Sequence, residues 1–81
     1  MNGDIQEKRT RMEIVAGIIN VCRQPATKTR IVYEVNLNFM MLEKYLGKYL
    51  LKNGLLKQEG RAFKATVKGE QWLAQFEQVK L

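Results

Sequence analysis

The sequence predicts a mainly helical α+β fold in a single domain over residues 1–81: three helices, a two-stranded β-hairpin and a closing helix. Three observations carry this. Two apolar-periodic segments meet at Asn36-Leu37-Asn38, and the second stops at Asn53-Gly54-Leu55. Two short runs, residues 55–59 and 62–66, flank Gly60-Arg61. Thr66 then opens a segment whose apolar residues, Trp72, Leu73, Phe76 and Val79, recur at helical spacing.

Residues 1–9 are polar and read as a frayed end or an extra helical turn. From Thr10 onward, Ile14, Val15, Ile18, Ile19 and Cys22 make one apolar stripe of a helix ending near Arg23. Gly17 inside it costs about 1 kcal/mol of helix propensity against Ala, and its missing side chain suits close packing of another helix. Pro25 ends the helix and biases Gln24 away from helical geometry. Residues 24–28 form a connector with room for one or two residues of strand. Thr27 or Thr29 caps the next helix, in which Ile31 and Val35 face the core together with Leu37.

Asn36 suits the left-handed residue that closes this helix, because its short polar side chain tolerates positive φ. Asn38 suits the cap of the following one, with Leu37 pointing inward to set the angle between them. Residues 27–54 therefore have the form of a helix-turn-helix. In the third helix, residues 38–52, Phe39, Leu42, Tyr45, Leu46, Tyr49 and Leu50 fall on the inward side, and Met40, Met41, Lys44, Gly47, Lys48 and Leu51 on the outward side. Gly54 and Leu55 read as a Schellman stop folding back onto Leu50. The hairpin, residues 55–66, turns at a positive-φ Gly60, with Leu56 and Gln58 on one face and Phe63 and Ala65 on one face. Two strands placed after a helix-turn-helix make a wing, and residues 67–81 form the closing helix.

Composition narrows the function. A 46% hydrophobic content is that of a folded domain. No apolar run is long enough to span a bilayer and the N-terminus lacks an apolar signal region, so the expected location is the cytoplasm, with no membrane partner. The chain has no His and a single Cys, its carboxylates lack metal-ligand spacing, and it has no glycine-rich phosphate loop. The commonest acid–base group and a nucleophile–base pair are thus missing, which argues against an enzyme and against a bound cofactor or metal. Cys22, at a core-facing position, reads as a small buried hydrophobe. The net charge is +6. It is concentrated in residues 23–68, where ten basic residues stand against Glu34, Glu43 and Glu59, and such a local excess points to a polyanionic partner.

The run TRIVYEVNLNFMMLEKYLGKYLLKNGLL, followed by a short hairpin and TVKGEQWL, resembles the archaeal winged-helix family of small DNA-binding proteins, which includes chromatin-associated proteins and predicted transcriptional regulators. The matching features are Thr29-Arg30 opening the second helix, the Asn36-Leu37 turn, Lys44-Tyr45-Leu46, Gly54-Leu55, and Thr66 with Gly69. The resemblance covers residues 11–78 and implies a winged helix-turn-helix that binds double-stranded DNA. Some members carry a long C-terminal helix that pairs two subunits as an antiparallel coiled coil. Here the last helix has about four turns before Leu81. A shorter homodimer contact through Trp72, Phe76 and Val79 is one expectation for it, and closure of the monomer's own core by the same residues is the other.

A helix fits the major groove and offers its outward face to base edges. For the third helix that face is Asn38, Met40, Met41, Lys44 and Lys48, with Gly47 admitting a groove wall. Lys44 and Lys48 stand one above the other, and the two methionines suit thymine methyls. The helix has no Arg, the strongest bidentate reader of guanine, which favours weak or non-specific readout. Phosphate contacts are expected from Lys28, Thr29 and Arg30 at the start of the second helix and from Lys57, Arg61 and Lys64 on the wing. The alternative is a protein-interaction module, suggested by outward-facing Met40, Met41 and Leu51.

Overall fold

The computed structural model describes residues 8–79. Helix α1 (Arg11–Val21) starts in a capping box: the Thr10 hydroxyl accepts from the Glu13 amide and the Glu13 carboxylate from the Thr10 amide. Strand β1 is Ala26–Thr27, and Thr27 rather than Thr29 caps α2 (Lys28–Val35), accepting from the Arg30 amide. Asn36 closes α2 at φ 61° in the left-handed region. Asn38 caps α3 (Phe39–Tyr45), its Oδ1 accepting from the Met41 amide at 2.7 Å.

The third helix then departs from expectation. Leu46–Leu50 form a π-helical turn, in which the Leu51 amide reaches back to the Leu46 carbonyl at 2.9 Å. The stop is a full Schellman motif: Leu55 N–H donates to Leu50 O, Gly54 N–H donates to Leu51 O, and Gly54 sits at φ 71°.

Strands β2 (Leu56–Glu59) and β3 (Ala62–Ala65) pair around Gly60, φ 63°, in a register that sets Leu56 against Ala65 and Gln58 against Phe63. The expected two-stranded wing is a three-stranded antiparallel sheet in the order β1-β3-β2, because β1 pairs with the other edge of β3 through Ala26–Phe63 and Thr27–Ala62. Phe63 thus ties the hairpin to the connector before α2. Helix α4 (Val67–Val79) is capped by Thr66, whose hydroxyl accepts from the Gly69 amide and donates to Gly54 O.

The core gathers Ile14, Ile18 and Ile19 from α1, Ile31 from α2, Leu42, Leu46 and Leu50 from the third helix, Phe63 from the sheet and Leu73 from α4. Gly17 lies against Val35, where an added Cβ would meet that side chain at 3.4 Å. Gly69 is tighter: a Cβ there would lie 2.0 Å from Leu55 O, so α4 rests directly on the backbone that follows the Schellman turn.

Five side chains differ from the expected inward and outward sets. Phe39 is 50% exposed, because at the first helical position it projects ahead of the core layer begun by Leu42. Tyr49 is 38% exposed while Leu51 packs half-buried against the core; the π turn takes one more residue per turn and rotates the last turn. Met41 is half-buried on the flank of the core. Val79 is 80% exposed, since α4 runs on past its last core contacts. Of the segment expected to fray, residues 1–7 lie outside the described residues. Arg9 is anchored: its guanidinium donates to Val35 O at 2.6 Å and Asn36 O at 3.3 Å, occupying carbonyls left open at the end of α2.

Candidate nucleic-acid interface

The third helix presents Met40, Lys44, Gly47 and Lys48 to solvent, with Met40 82% exposed. Leu42, Leu46 and Leu50 hold the opposite side in the core, so helical geometry itself turns Lys44 outward. Among the described residues neither lysine has an ion pair or side-chain hydrogen bond. Asn38 is exposed, but its Oδ1 is engaged in the cap. Met41, half-buried, offers only an edge.

The cations at the start of α2 are already engaged. Lys28 Nζ pairs with Glu43 Oε2 across the helix-turn-helix, and Arg30 Nε pairs with Glu34 Oε2 at 2.9 Å. All four side chains are well exposed, so each pair contributes at most about 1 kcal/mol and a phosphate can compete for the cation. Thr29 is exposed beside them.

On the wing, Arg61 sits exposed at the turn, with no ion pair among the described residues. The strand register puts Lys57 directly opposite Lys64 on the face away from the core. Like charges so placed destabilise a hairpin. They are partly relieved by Glu59, 3.2 Å from Lys57, and by Arg23 O, which accepts from Lys64 Nζ at 3.3 Å. A phosphate near this pair would relieve it further.

Trp72 and Phe76 stack with ring centroids 5.6 Å apart, half-buried against the core, and Val79 lies exposed one turn on. Sequence reasoning passed over Tyr33, 85% exposed on α2, and Phe39 beside Met40; Tyr33 was legible as an off-stripe position, two residues after the inward-facing Ile31. It also passed over Arg9 and Arg11, which precede or open the first apolar stripe and carry no periodic signal.

Cys22 is fully buried and its thiol is pushed up to about 11 by burial, far from the range of a working nucleophile. No group of His, Cys, Asp and Glu side chains among the described residues is placed to hold a metal, and none of the described helices is long and apolar enough to cross a membrane.

Comparison with known proteins adds to this geometry. A winged helix-turn-helix family model matches residues 8–81. An uncharacterised protein of Methanocaldococcus jannaschii is 30% identical over 70 residues, which span 85% of this chain and 71% of that protein. Among solved structures, the chain is similar to Sso10a-2, a DNA-binding protein from Sulfolobus solfataricus, at 31% identity and a TM-score of 0.77, covering 88% of this chain and 78% of the other.

Proposed function

We propose that this chain, which belongs to the winged helix-turn-helix family, binds double-stranded DNA without catalysis, as a transcriptional regulator or chromatin-type protein. The observation that carries the reading is the pair Lys44 and Lys48. They are one turn apart on the exposed side of the helix that follows the Asn36-Leu37-Asn38 joint, without ionic partners among the described residues. That helix enters the major groove, Met40 meets apolar base edges, and the wing cations Lys57, Arg61 and Lys64 hold phosphates. Lys28, Thr29 and Arg30 add phosphate contacts once Glu43 and Glu34 release the two cations. With no Arg on the reading helix, phosphate contacts supply most of the affinity and sequence preference is modest. The apolar strip of Trp72, Phe76 and Val79 is the surface a second copy would use to form a homodimer.

A titration of a labelled random-sequence duplex at several salt concentrations tests this. Each neutralised phosphate contributes about −0.9 to the slope of log K against log salt. Contacts from Lys44, Lys48 and Arg61 alone give a slope of about −3, and recruitment of Lys28, Arg30, Lys57 and Lys64 as well steepens it to about −6. Lys44→Glu/Lys48→Glu should abolish binding at moderate salt. An affinity independent of salt, or unchanged in that variant, overturns the reading. A protein-interaction role is the second reading, favoured by exposed Met40 and Phe39; it requires Met40→Asp to abolish activity while the charge reversals leave it intact.

A further inference from the structure

Beside the outward face of the third helix lies a cleft of about 440 Å³ between α1, the third helix and α4. Tyr45, Tyr49 and Trp72 give it aromatic walls, and Arg11, Lys44 and Lys48 stand around them. Among the described residues no carboxylate lines it. None of the three cations has an ion pair among the described residues. The π turn contributes to this arrangement, because it leaves Tyr49 on the cleft side instead of in the core.

We propose that this cleft binds a small planar aromatic anion, a carboxylate or sulfonate with one or two rings, and that occupancy opposes DNA binding. The volume falls within the range of small-ligand sites, about 300–1,000 Å³. Three rings from two helices offer faces and edges on which a planar apolar body stacks. Arg11 provides the planar fork that grips a carboxylate in two bonds, and the lysines provide point charges beside it. Three like charges around a partly apolar cleft repel one another until an anion enters. Lys44 and Lys48 belong at once to the cleft and to the proposed DNA face, so an anion that draws them in removes them from phosphate. This coupling rests on the DNA-binding reading; the binding of the anion does not.

The probe is 8-anilinonaphthalene-1-sulfonate, compared with N-phenyl-1-naphthylamine, which has the same rings and no charge. Trp72 is the only tryptophan, so its quenching reports occupancy of the cleft directly. The sulfonate should saturate one site and quench Trp72, with an affinity at least tenfold above that of the neutral analogue. Arg11→Ala should lower the sulfonate's affinity about tenfold and leave the neutral analogue's unchanged. Arg11 is exposed at the start of α1, and its loss should leave the melting temperature in place. Equal binding of the two probes, or an unaltered affinity in Arg11→Ala, overturns the anion site. Saturating sulfonate should weaken duplex binding by the wild type and, at the same concentration, much less by Arg11→Ala; an unchanged duplex affinity overturns the coupling. Should the chain bind no duplex at all, the quenching titration still decides the anion site.

Discussion

Replacing Gly69 by Ala tests how α4 is seated. In an unobstructed helix this change stabilises by about 1 kcal/mol. Here the new Cβ would lie 2.0 Å from Leu55 O, against a normal carbon–oxygen contact of about 3.3 Å. The partner atom is backbone, locked by the Leu55 amide on Leu50 O and by its own acceptance from the Thr66 amide, so no side chain can swing away. Helix α4 must back off by about 1 Å. That movement strains the Thr66 hydroxyl bond to Gly54 O and the Thr66 amide bond to Leu55 O, and loosens Leu73 in the core. Overpacking of this kind costs about 1–3 kcal/mol, and two weakened hydrogen bonds add about 1 kcal/mol each. After the gain in propensity, the net loss is about 3 kcal/mol, against a total of about 4–12 kcal/mol for a domain of this length. The melting temperature should fall by about 12–24 °C. Thermal and urea denaturation followed by circular dichroism measure it, with Gly47→Ala as the control, because a Cβ at Gly47 meets nothing within 4 Å. A Gly69→Ala protein within about 0.5 kcal/mol of wild type would refute the close seating of α4 on Leu55.

Two further outcomes follow from local geometry. Asn36, at φ 61°, should tolerate Gly with a change of a few tenths of a kcal/mol, whereas Val should cost about 1–2 kcal/mol or more; equal melting temperatures for the two variants would contradict the left-handed joint. Cys22 holds its proton more tightly folded than unfolded, so its contribution is fully present below about pH 9 and is lost as pH rises towards 11, amounting to about 2–3 kcal/mol. Urea unfolding at pH 8 and pH 10.5 should show a smaller alkaline loss in Cys22→Ala than in wild type, and equal losses would show that the thiol does not contribute.

The parts of the fold legible in the sequence are those specified by single residues with one physical role. Asn36, Asn38, Gly54 and Gly60 each have one conformational use, and all four adopt it. Thr10 and Thr66 likewise mark helix starts that the structure contains. The third strand was less legible, because two residues give no alternation and the pairing partner Phe63 lies far along the chain. Gly69 was visible only as part of a resemblance; its physical reason, contact with Leu55 O, is a matter of tertiary distance. On the proposed DNA face, Lys44, Lys48 and Arg61 were legible as exposed cations. The pairing of Lys28 with Glu43 was not, since it depends on how two helices cross. The cleft was illegible for the same reason: its three cations and three rings come from three separate segments.

The π turn at Leu46–Leu50 can also be regarded as an insertion. A helix that acquires one residue without lengthening its hydrogen-bonded frame must bulge or rotate everything downstream by about 100°. Here the bulge absorbs the extra residue between two fixed ends, the Asn38 cap and the Gly54 stop. Deleting Gly47, which has open space around it, is the corresponding edit. It should convert the segment to a regular α-helix that keeps Leu50 and Leu51 inward and Tyr49 outward, because Leu50 O and Leu51 O stay bonded to the Leu55 and Gly54 amides and the cap, the stop and the wing remain in register. One residue of length thus separates two versions of this helix with the same two ends and the same buried stripe, the π turn being the fold's way of carrying the extra residue.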